Sequence, residues 1–181
     1  MKKYIVISGA PGVGKSTILR SIRVKRPEFK FSLSWTSRSP RPEENEEDYH
    51  FVSASRFREA IQGGVFLEWV KTGGVYYGTP KPAQEDAVRI LFDVDTHGGL
   101  AIHGAYPRDT LRIFITAPKE EICRRLTERE AARMDPAVLQ GRIDRIDTET
   151  ETALAHYDHI VQNEDDVKAC VEQILRIIDT N

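Results

Sequence analysis

The architecture of this 181-residue chain follows from one segment near its start, Gly9-Ala10-Pro11-Gly12-Val13-Gly14-Lys15-Ser16-Thr17. The segment matches the pattern G-x-x-x-x-G-K-[ST] at every fixed position. The apolar run 4–8 before it is typical of a buried strand, and residues 17–22 after it have the apolar spacing of a helix. A strand, a glycine loop and a helix start bring backbone N–H groups and a positive helix end around a polyphosphate. We therefore predict that every residue of this segment contacts a nucleoside triphosphate.

Two side chains in the loop have distinct predicted roles. Lys15 should reach the β- and γ-phosphates, and the Ser16 hydroxyl should hold Mg²⁺. The alternative is a glycine-rich turn that carries a surface lysine, but the strand before it and the helix after it favour the nucleotide site.

The composition fits one compact unit with small inserted subdomains. A net charge of −2 gives no basic field for a nucleic-acid partner. No apolar run approaches the roughly 20 residues that span a membrane, and the first strand begins too early for a signal peptide. We expect a cytoplasmic protein, monomeric or homodimeric, in which Cys123 and Cys170 are reduced core thiols.

Strands alternate with helices along the chain, which predicts an α/β fold with a parallel sheet flanked by helices on both faces. The predicted strands span residues 4–8, 31–36, 48–52, 90–95, 111–115 and 159–162, with a hairpin from 65–70 and 75–77 that turns at Gly73-Gly74. The predicted helices span 17–26, 56–62, 98–105, about 118–130, 137–156 and a final segment capped by Asn163-Glu164-Asp165.

Ligands of such sheets bind at the carboxyl ends of the strands. The glycine loop, the pair Asp93 and Asp95, and Asn163 all follow predicted strands, so we expect them to meet at one edge. Asp93 is predicted to hold Mg²⁺ through water; alternatively it caps the next helix.

Five sequence blocks carry a resemblance to a known family. They are residues 9–17; 34–41 with 48–51; Phe66-Leu67-Glu68-Trp69 with Tyr76-Tyr77-Gly78-Thr79; Leu91-Phe92-Asp93-Val94-Asp95; and Tyr157-Asp158 to Asn163-Glu164-Asp165. Over nearly its whole length the chain resembles the guanylate kinase family. Many nucleotide-binding proteins share the first block, whereas the second and third blocks, in this order and at this spacing, are specific to the family.

The resemblance implies a P-loop nucleoside monophosphate kinase with three parts. These are a core (1–31, 84–125 and 147–181), a strand-rich GMP-binding insert (32–83) and a helical lid (126–146). It also implies transfer of the γ-phosphoryl group of ATP to GMP, giving ADP and GDP, with Mg²⁺ as cofactor, in purine nucleotide metabolism.

The second and third blocks suit the phosphate of GMP. Arg38 and Arg41 lie three residues apart in a Pro-containing turn, where two planar guanidinium groups can grip one phosphate. Tyr49 and Tyr77 can each donate a hydroxyl to the same phosphate. Alternatively, the two arginines are solvated loop charges and the two tyrosines are core residues.

Guanine presents N1–H and N2–H donors and an O6 acceptor. Glu68, helped by Asp95, is the predicted acceptor, and the hydroxyls of Thr79 and Ser34 are the predicted donors. Such a site can reject adenine by about 10⁴-fold, because adenine leaves its polar groups unpaired. Alternatively Glu68, expected to point away from its strand neighbours Leu67 and Trp69, simply faces solvent, and the two hydroxyls have turn or strand roles.

Phosphoryl transfer needs positioning and charge stabilisation rather than a strong base. Lys15, Arg38 and Mg²⁺ should neutralise the transferring group, and the resemblance adds the lid arginines Arg125, Arg129 and either Arg142 or Arg145. Asn163 would contact adenine, order its loop or cap the last helix.

The chain departs from the family pattern at four places: Pro11, the acidic loop after Arg41, His97 and Glu130. We expect these changes to affect lid motion and rate more than chemistry, with His97 in a loop or cap role. Two alternatives stay open: a related kinase of a ribose phosphate, which needs no guanine-reading residues, and an inactive guanylate-kinase-like interaction module, which needs no complete P-loop.

Overall fold

The computed structural model describes residues 1–40, 46–82, 88–130, 135–164 and 166–181. In chain order the elements are β1 (Tyr4–Gly9), α1 (Lys15–Lys25), β2 (Lys30–Ser32), β3 (Trp35–Thr36), β4 (His50–Phe51), α2 (Ala54–Gln62), β5 (Phe66–Thr72), β6 (Val75–Pro80), β7 (Ile90–Asp93), α3 (Thr96–Ala105), β8 (Thr110–Thr116), α4 (Lys119–Glu130), α5 (Pro136–His156), β9 (His159–Gln162) and α6 (Val167–Thr180). No helix in the described ranges is both long enough and apolar enough to cross a bilayer.

The first sheet contains five parallel strands in the order β2-β7-β1-β8-β9. Its central strand β1 is buried along its whole length. Ile5 and Ile7 pack into a cluster with residues of α1, α4, α5 and α6, whereas Tyr4 and Val6 pack into another that includes Ile102 of α3. Helices therefore cover both faces, as the alternation of strands and helices predicts.

The second sheet has the order β4-β3-β6-β5 and lies within the predicted insert. Its β5–β6 hairpin turns at Gly73 and Gly74, which both have positive φ, as the tight hairpin turn requires. Phe57 of α2 stacks on Phe66 at 4.5 Å and on Tyr76 at 5.2 Å, between ring centroids. The insert thus has an apolar cluster of its own, while its division from the core as a domain stays a prediction.

Residues 31–36 do not form one strand, and that prediction is wrong. β2 pairs with β7 in the first sheet, whereas β3 pairs with β4 and β6 in the second. Phe31 packs against the main core and Trp35 against the cluster of the insert, so the chain changes sheets between them. Local alternation cannot report this change, because both short strands alternate in the same way. The strand predicted over 48–52 is likewise shorter, at His50–Phe51.

Two helix starts also differ from the predictions. β7 ends at Asp93, and Asp95 lies outside the strand as the N-cap of α3, where its Oδ1 accepts from Gly98 N at 2.9 Å. Asp166, rather than 163–165, caps α6, and its carboxylate accepts from Ala169 N at 2.9 Å. In both cases the carboxylate of the N-cap residue accepts a hydrogen bond from the backbone N–H three residues later, which has no partner within the helix.

Candidate active site

The glycine loop leaves β1 and ends in the first turn of α1. Gly12 and Gly14 have φ of 87° and 94°, a left-handed conformation that favours glycine. A Cβ on Gly12 would lie only 2.6 Å from Leu126 Cγ of α4, so the loop packs closely on that helix. The first N–H groups of α1 have no partner within the helix, which suits an anion at this end.

Lys15 contacts the neighbouring strand end rather than solvent. Its Nζ donates to Asp93 Oδ1 and lies 3.4 Å from the carbonyl oxygen of Val94. Burial opposes the charge of Lys15, but the Asp93 carboxylate more than offsets it, so the pKa of the ammonium is raised. The alternative role of Asp93 as a helix cap is wrong, because Asp95 fills that position.

Ser16 and Asp93 suit Mg²⁺ by their chemistry and position. Ser16 is exposed in the first turn of α1, and the Asp93 side chain, 43% exposed, ends a strand adjacent to β1. Mg²⁺ prefers oxygen donors and usually takes one or two from protein, with substrate phosphates and water supplying the rest. In the described part of the chain no three His, Cys, Asp or Glu side chains cluster as an all-protein metal site.

Asn163 joins the end of β9 to the glycine loop. It is 3% exposed, its Nδ2 donates to the Val13 carbonyl oxygen at 2.8 Å, and its backbone N–H donates to Thr116 O at 2.8 Å. Its Oδ1 is buried without a hydrogen-bond partner. The side chain therefore lies where it orders the loop, and its predicted contact with adenine stays a prediction.

On the insert side, Glu68 and Thr79 face each other across the hairpin. Thr79 Oγ1 donates to Glu68 Oε1 at 2.6 Å, and Thr79 is only 2% exposed. Burial raises the pKa of Glu68, although the hydrogen bond from Thr79 works in the opposite direction and the charge of Asp95 adds to the rise. The Thr79 hydroxyl, predicted to donate to guanine O6, is thus engaged in orienting the carboxylate.

The expected direction of Glu68 relative to Leu67 is wrong. Pairing shifts register between Phe66 and Glu68, so the regular alternation of β5 is interrupted there. Leu67 packs against the cluster that includes α3, and Glu68 Oε1 lies 3.4 Å from the position of a Cβ on Gly98 of α3. Both side chains therefore reach toward α3.

Two aromatic rings lie close to the guanidinium of Arg38. The group lies 5.2 Å from the Tyr49 ring centroid and 5.5 Å from that of Phe51, and its NH1 donates to Ser39 O at 3.0 Å. Tyr49 and Tyr77 are neighbours, with centroids 6.5 Å apart. Burial raises the pKa of Tyr49, and Asp93 contributes, so this group lies within electrostatic reach of the Lys15–Asp93 pair.

For the remaining predicted GMP ligands, the structure gives a backbone contact for Ser34 and does not describe Arg41. The carbonyl oxygen of Ser34 accepts from His50 N at 2.9 Å, which fixes the backbone between β2 and β3. Arg41 lies outside the described residues. Exposed His97 is in the first turn of α3, one residue before Gly98.

The predicted lid arginines are on α4 and α5. Arg125 Nε donates to Glu121 Oε1 at 2.7 Å, and hydrogen bonds from Arg124 and Arg125 lower the pKa of Glu121 to about 2. Arg142 is half-buried on α5, and the side chain of Arg129 lies outside the described residues.

Three residues to which the sequence analysis gave no role in the site support it. Ser8 Oγ and Tyr157 Oη share a hydrogen bond of 2.7 Å, and burial raises the pKa of Tyr157 to about 12. A Cβ on Gly99 would lie 2.1 Å from Tyr157 Oη, so this contact depends on a glycine in α3. Ser8 was detectable as a polar residue ending an apolar strand; the third residue, buried Glu149, lies in a polar helix and gave no such signal.

A P-loop after the central strand, together with a small second sheet followed by an arginine that contacts two aromatic rings, is typical of the class of P-loop nucleotide kinases. The family model for guanylate kinase matches residues 1–181. The chain therefore belongs to the guanylate kinase family, and the resemblance drawn from the five sequence blocks is confirmed.

Individual relatives agree with this result. The guanylate kinase of Anaeromyxobacter dehalogenans is 34% identical over 96% of this chain and 78% of its own length, and that of Gloeobacter violaceus is 37% identical over 98% and 87%. The crystal structure of guanylate kinase from Anaplasma phagocytophilum has a TM-score of 0.75 at 25% identity, covering 99% of this chain and 85% of that one. The predictions of an enzyme and of its fold class are thereby confirmed.

Proposed function

We propose that this chain transfers the γ-phosphoryl group of ATP to GMP and releases ADP and GDP. The observation that carries the proposal is the position of the segment from Asp93 to Gly98. One end of the segment holds the P-loop lysine, Lys15, and the other end lies beside the Glu68 carboxylate of the insert. A triphosphate and a purine can therefore occupy adjacent parts of one site.

The insert supplies the guanine contacts. Glu68 presents a carboxylate held by Thr79, which suits the N1–H and N2–H donors of guanine. Asp95 has Oδ1 on the α3 cap, and its Oδ2, which lies beside Arg145, is the candidate acceptor for the same edge. Ser34 remains the candidate donor to O6. Adenine offers no matching pair of donors, so GMP is favoured over AMP.

The GMP phosphate would lie among Arg38, Arg41, Tyr49 and Tyr77. The described members of this set cluster close to the Lys15–Asp93 pair, where the acceptor oxygen of GMP has to meet the γ-phosphoryl group. Because the reaction depends on alignment and charge, the role of these groups is to orient the acceptor and shield its negative charge.

The P-loop, Lys15 and the lid would hold ATP. Backbone N–H groups of the segment 9–17, which Pro11 does not supply, would surround the phosphates, Ser16 would coordinate Mg²⁺ and Asp93 would bind its water. When bound, Mg²⁺ neutralises charge on the phosphate oxygens. Arg125, Arg129 and Arg142 would add positive charge on lid closure, and Asn163 would support the loop and contact adenine.

An ADP-release assay across the four common nucleoside monophosphates tests the proposal. We expect GMP to support turnover at least about 10³-fold better than AMP in kcat/KM, because the guanine edge satisfies buried polar groups that adenine leaves unpaired. Turnover with AMP but not GMP, or with a ribose phosphate alone, would contradict it.

A further inference from the structure

Glu149 is a buried acid that the proposed reaction does not yet use. It lies on α5 and is 6% exposed, whereas Glu151, two residues further along the helix, is exposed. Removing an ionised carboxylate from water costs several kcal/mol unless a partner compensates. The position of Glu149 therefore calls for a specific partner, and the structure supplies one.

A short chain of charged contacts runs from Glu149 to the start of α3. Arg145 NH2, one turn earlier on α5, donates to Glu149 Oε1 at 2.5 Å. The same nitrogen lies 3.5 Å from Asp95 Oδ2. The other oxygen of Asp95 accepts from Gly98 N, so the two Asp95 oxygens face different partners.

Helix stability alone does not account for this arrangement. An Arg that precedes a Glu by four residues is the less favourable order for an isolated helix, and an exposed pair would serve the helix equally well. Arg124 and Glu128 form such an exposed pair on α4. The carboxylate of Glu149, by contrast, is buried, and it lies within electrostatic reach of both Asp95 and Lys15.

We infer that Glu149 is a positioning residue for GMP. It holds the Arg145 guanidinium beside Asp95, and Arg145 in turn keeps Asp95 Oδ2 in place for the guanine edge. This inference rests on the proposed function and deepens it, because it assigns Arg145 to the GMP side of the site rather than to the triphosphate.

The test is a comparison of Glu149→Gln with the exposed control Glu151→Gln in the full chain. Loss of a charge-assisted hydrogen bond should raise KM for GMP, and Kd for GMP by calorimetry, by about tenfold. KM for ATP should change by less than about twofold, because the P-loop is untouched. Glu151→Gln should match the wild type in all three constants.

A double-mutant cycle separates positioning from other roles. In an Arg145→Gln background, Glu149→Gln should add no further loss of GMP affinity, since its effect passes through Arg145. Full additivity, an equal rise in KM for ATP, or a lowered Tm with both KM values unchanged would each overturn the inference. If Glu149→Gln fails to fold, Arg145→Gln becomes the test. It should raise KM for GMP and leave KM for ATP unchanged, and an unchanged KM for GMP in this variant would overturn the inference.

The same measurements distinguish this inference from the proposed function. Wild-type protein that releases no ADP with GMP, and does not bind GMP, refutes the proposed function and the inference with it. Wild-type protein that is active, with Glu149→Gln equally active at limiting GMP, refutes only the role of Glu149.

Discussion

Lys15 and Asp93 form an ion pair at the predicted position of the triphosphate. The pair keeps the lysine charged in spite of its partial burial. In the proposed function, phosphate oxygens would replace the Asp93 carboxylate on the ammonium, and that carboxylate would then be free to hold a water of Mg²⁺. Asp93 should therefore compete with ATP when magnesium is absent and assist it when magnesium is present.

Asp93→Asn tests this dual role. Without magnesium, the variant should bind ATP about three- to tenfold more tightly than the wild type, because one competing charge near the phosphates is gone. Magnesium-dependent turnover should fall. Calorimetry with a chelator present measures the first effect, and Asp109→Asn, exposed at the opposite end of the sheet, is the control. Weaker magnesium-free binding would refute the competition.

Thr79→Val removes the hydroxyl that holds Glu68 with little change in shape. The carboxylate loses a charge-assisted hydrogen bond of 2.6 Å, so KM for GMP should rise by about tenfold. KM for ATP should stay unchanged in initial-rate measurements. Thr72→Val, at the exposed end of β5, should have no effect on either constant. Equal changes in both constants would show that the hydroxyl supports the fold rather than the guanine site.

The raised pKa of Glu68 predicts a pH dependence. As pH falls, this carboxylate takes up a proton at a higher pH than an ordinary glutamate, whose pKa is about 4.3, and a neutral acid no longer accepts from both guanine donors. KM for GMP should therefore rise on the acid side, starting above the usual glutamate range. The rise should be absent in Glu68→Gln, and an unchanged profile in that variant would assign it to another group.

Helix α3 is the element that joins the two halves of the site. Its N-cap Asp95 faces Arg145, Gly98 in its first turn lies beside Glu68, and the adjacent Gly99 packs against Tyr157. The close approach of Tyr157 Oη to Gly99 fixes how far α3 lies from the first sheet. Small changes at this contact should be transmitted to the site.

Two alanine substitutions on α3 should have opposite effects. Gly99→Ala places a Cβ 2.1 Å from Tyr157 Oη and should lower the free energy of unfolding by about 1–3 kcal/mol through overpacking. Gly104→Ala meets nothing within 4 Å and should raise it by up to about 1 kcal/mol. Urea denaturation measures both, and adding Tyr157→Phe should partly rescue Gly99→Ala. Equal effects at the two glycines would refute the packing argument.

The described part of the molecule contains two sheets, and the predicted ATP and GMP ligands are divided between them and the adjoining helices. Asp93 ends β7 of the first sheet and pairs with Lys15 at the start of α1, whereas Glu68 and Thr79 belong to the second sheet. The chain passes between the sheets at Leu33-Ser34, and a cavity of about 320 Å³ lies there, lined in part by Phe31, Trp35 and Pro80. Ligands that contact both sheets should therefore stabilise their relative position.

GMP and a non-hydrolysable ATP analogue bound together should raise the free energy of unfolding by more than the sum of their separate effects. Either ligand at about 100 times its Kd adds about 2.7 kcal/mol to the free energy of unfolding. Because the first ligand orders part of the site for the second, Kd for GMP should fall in the presence of the analogue. Calorimetric titration with and without the analogue measures this, and identical Kd values would contradict the coupling.

The sequence by itself determined the P-loop, the parallel sheet and the identity of most side chains around the site. These features depend on local patterns: the spacing of Gly9, Gly14 and Lys15, the apolar strand before them and the hairpin turn at Gly73-Gly74. Such patterns act over a few residues, so they can be read along the chain.

Only the tertiary structure decided which partners these residues meet. The contact of Asn163 with Val13 joins residues 150 positions apart. The contact of Arg145 with Asp95 joins α5 to the N-cap of α3. The register shift before Glu68, the sheet change after Phe31 and the burial of Glu149 likewise depend on packing against distant elements. Local periodicity is the same whether a side chain meets solvent or a neighbouring helix, so the fold alone distinguishes these cases.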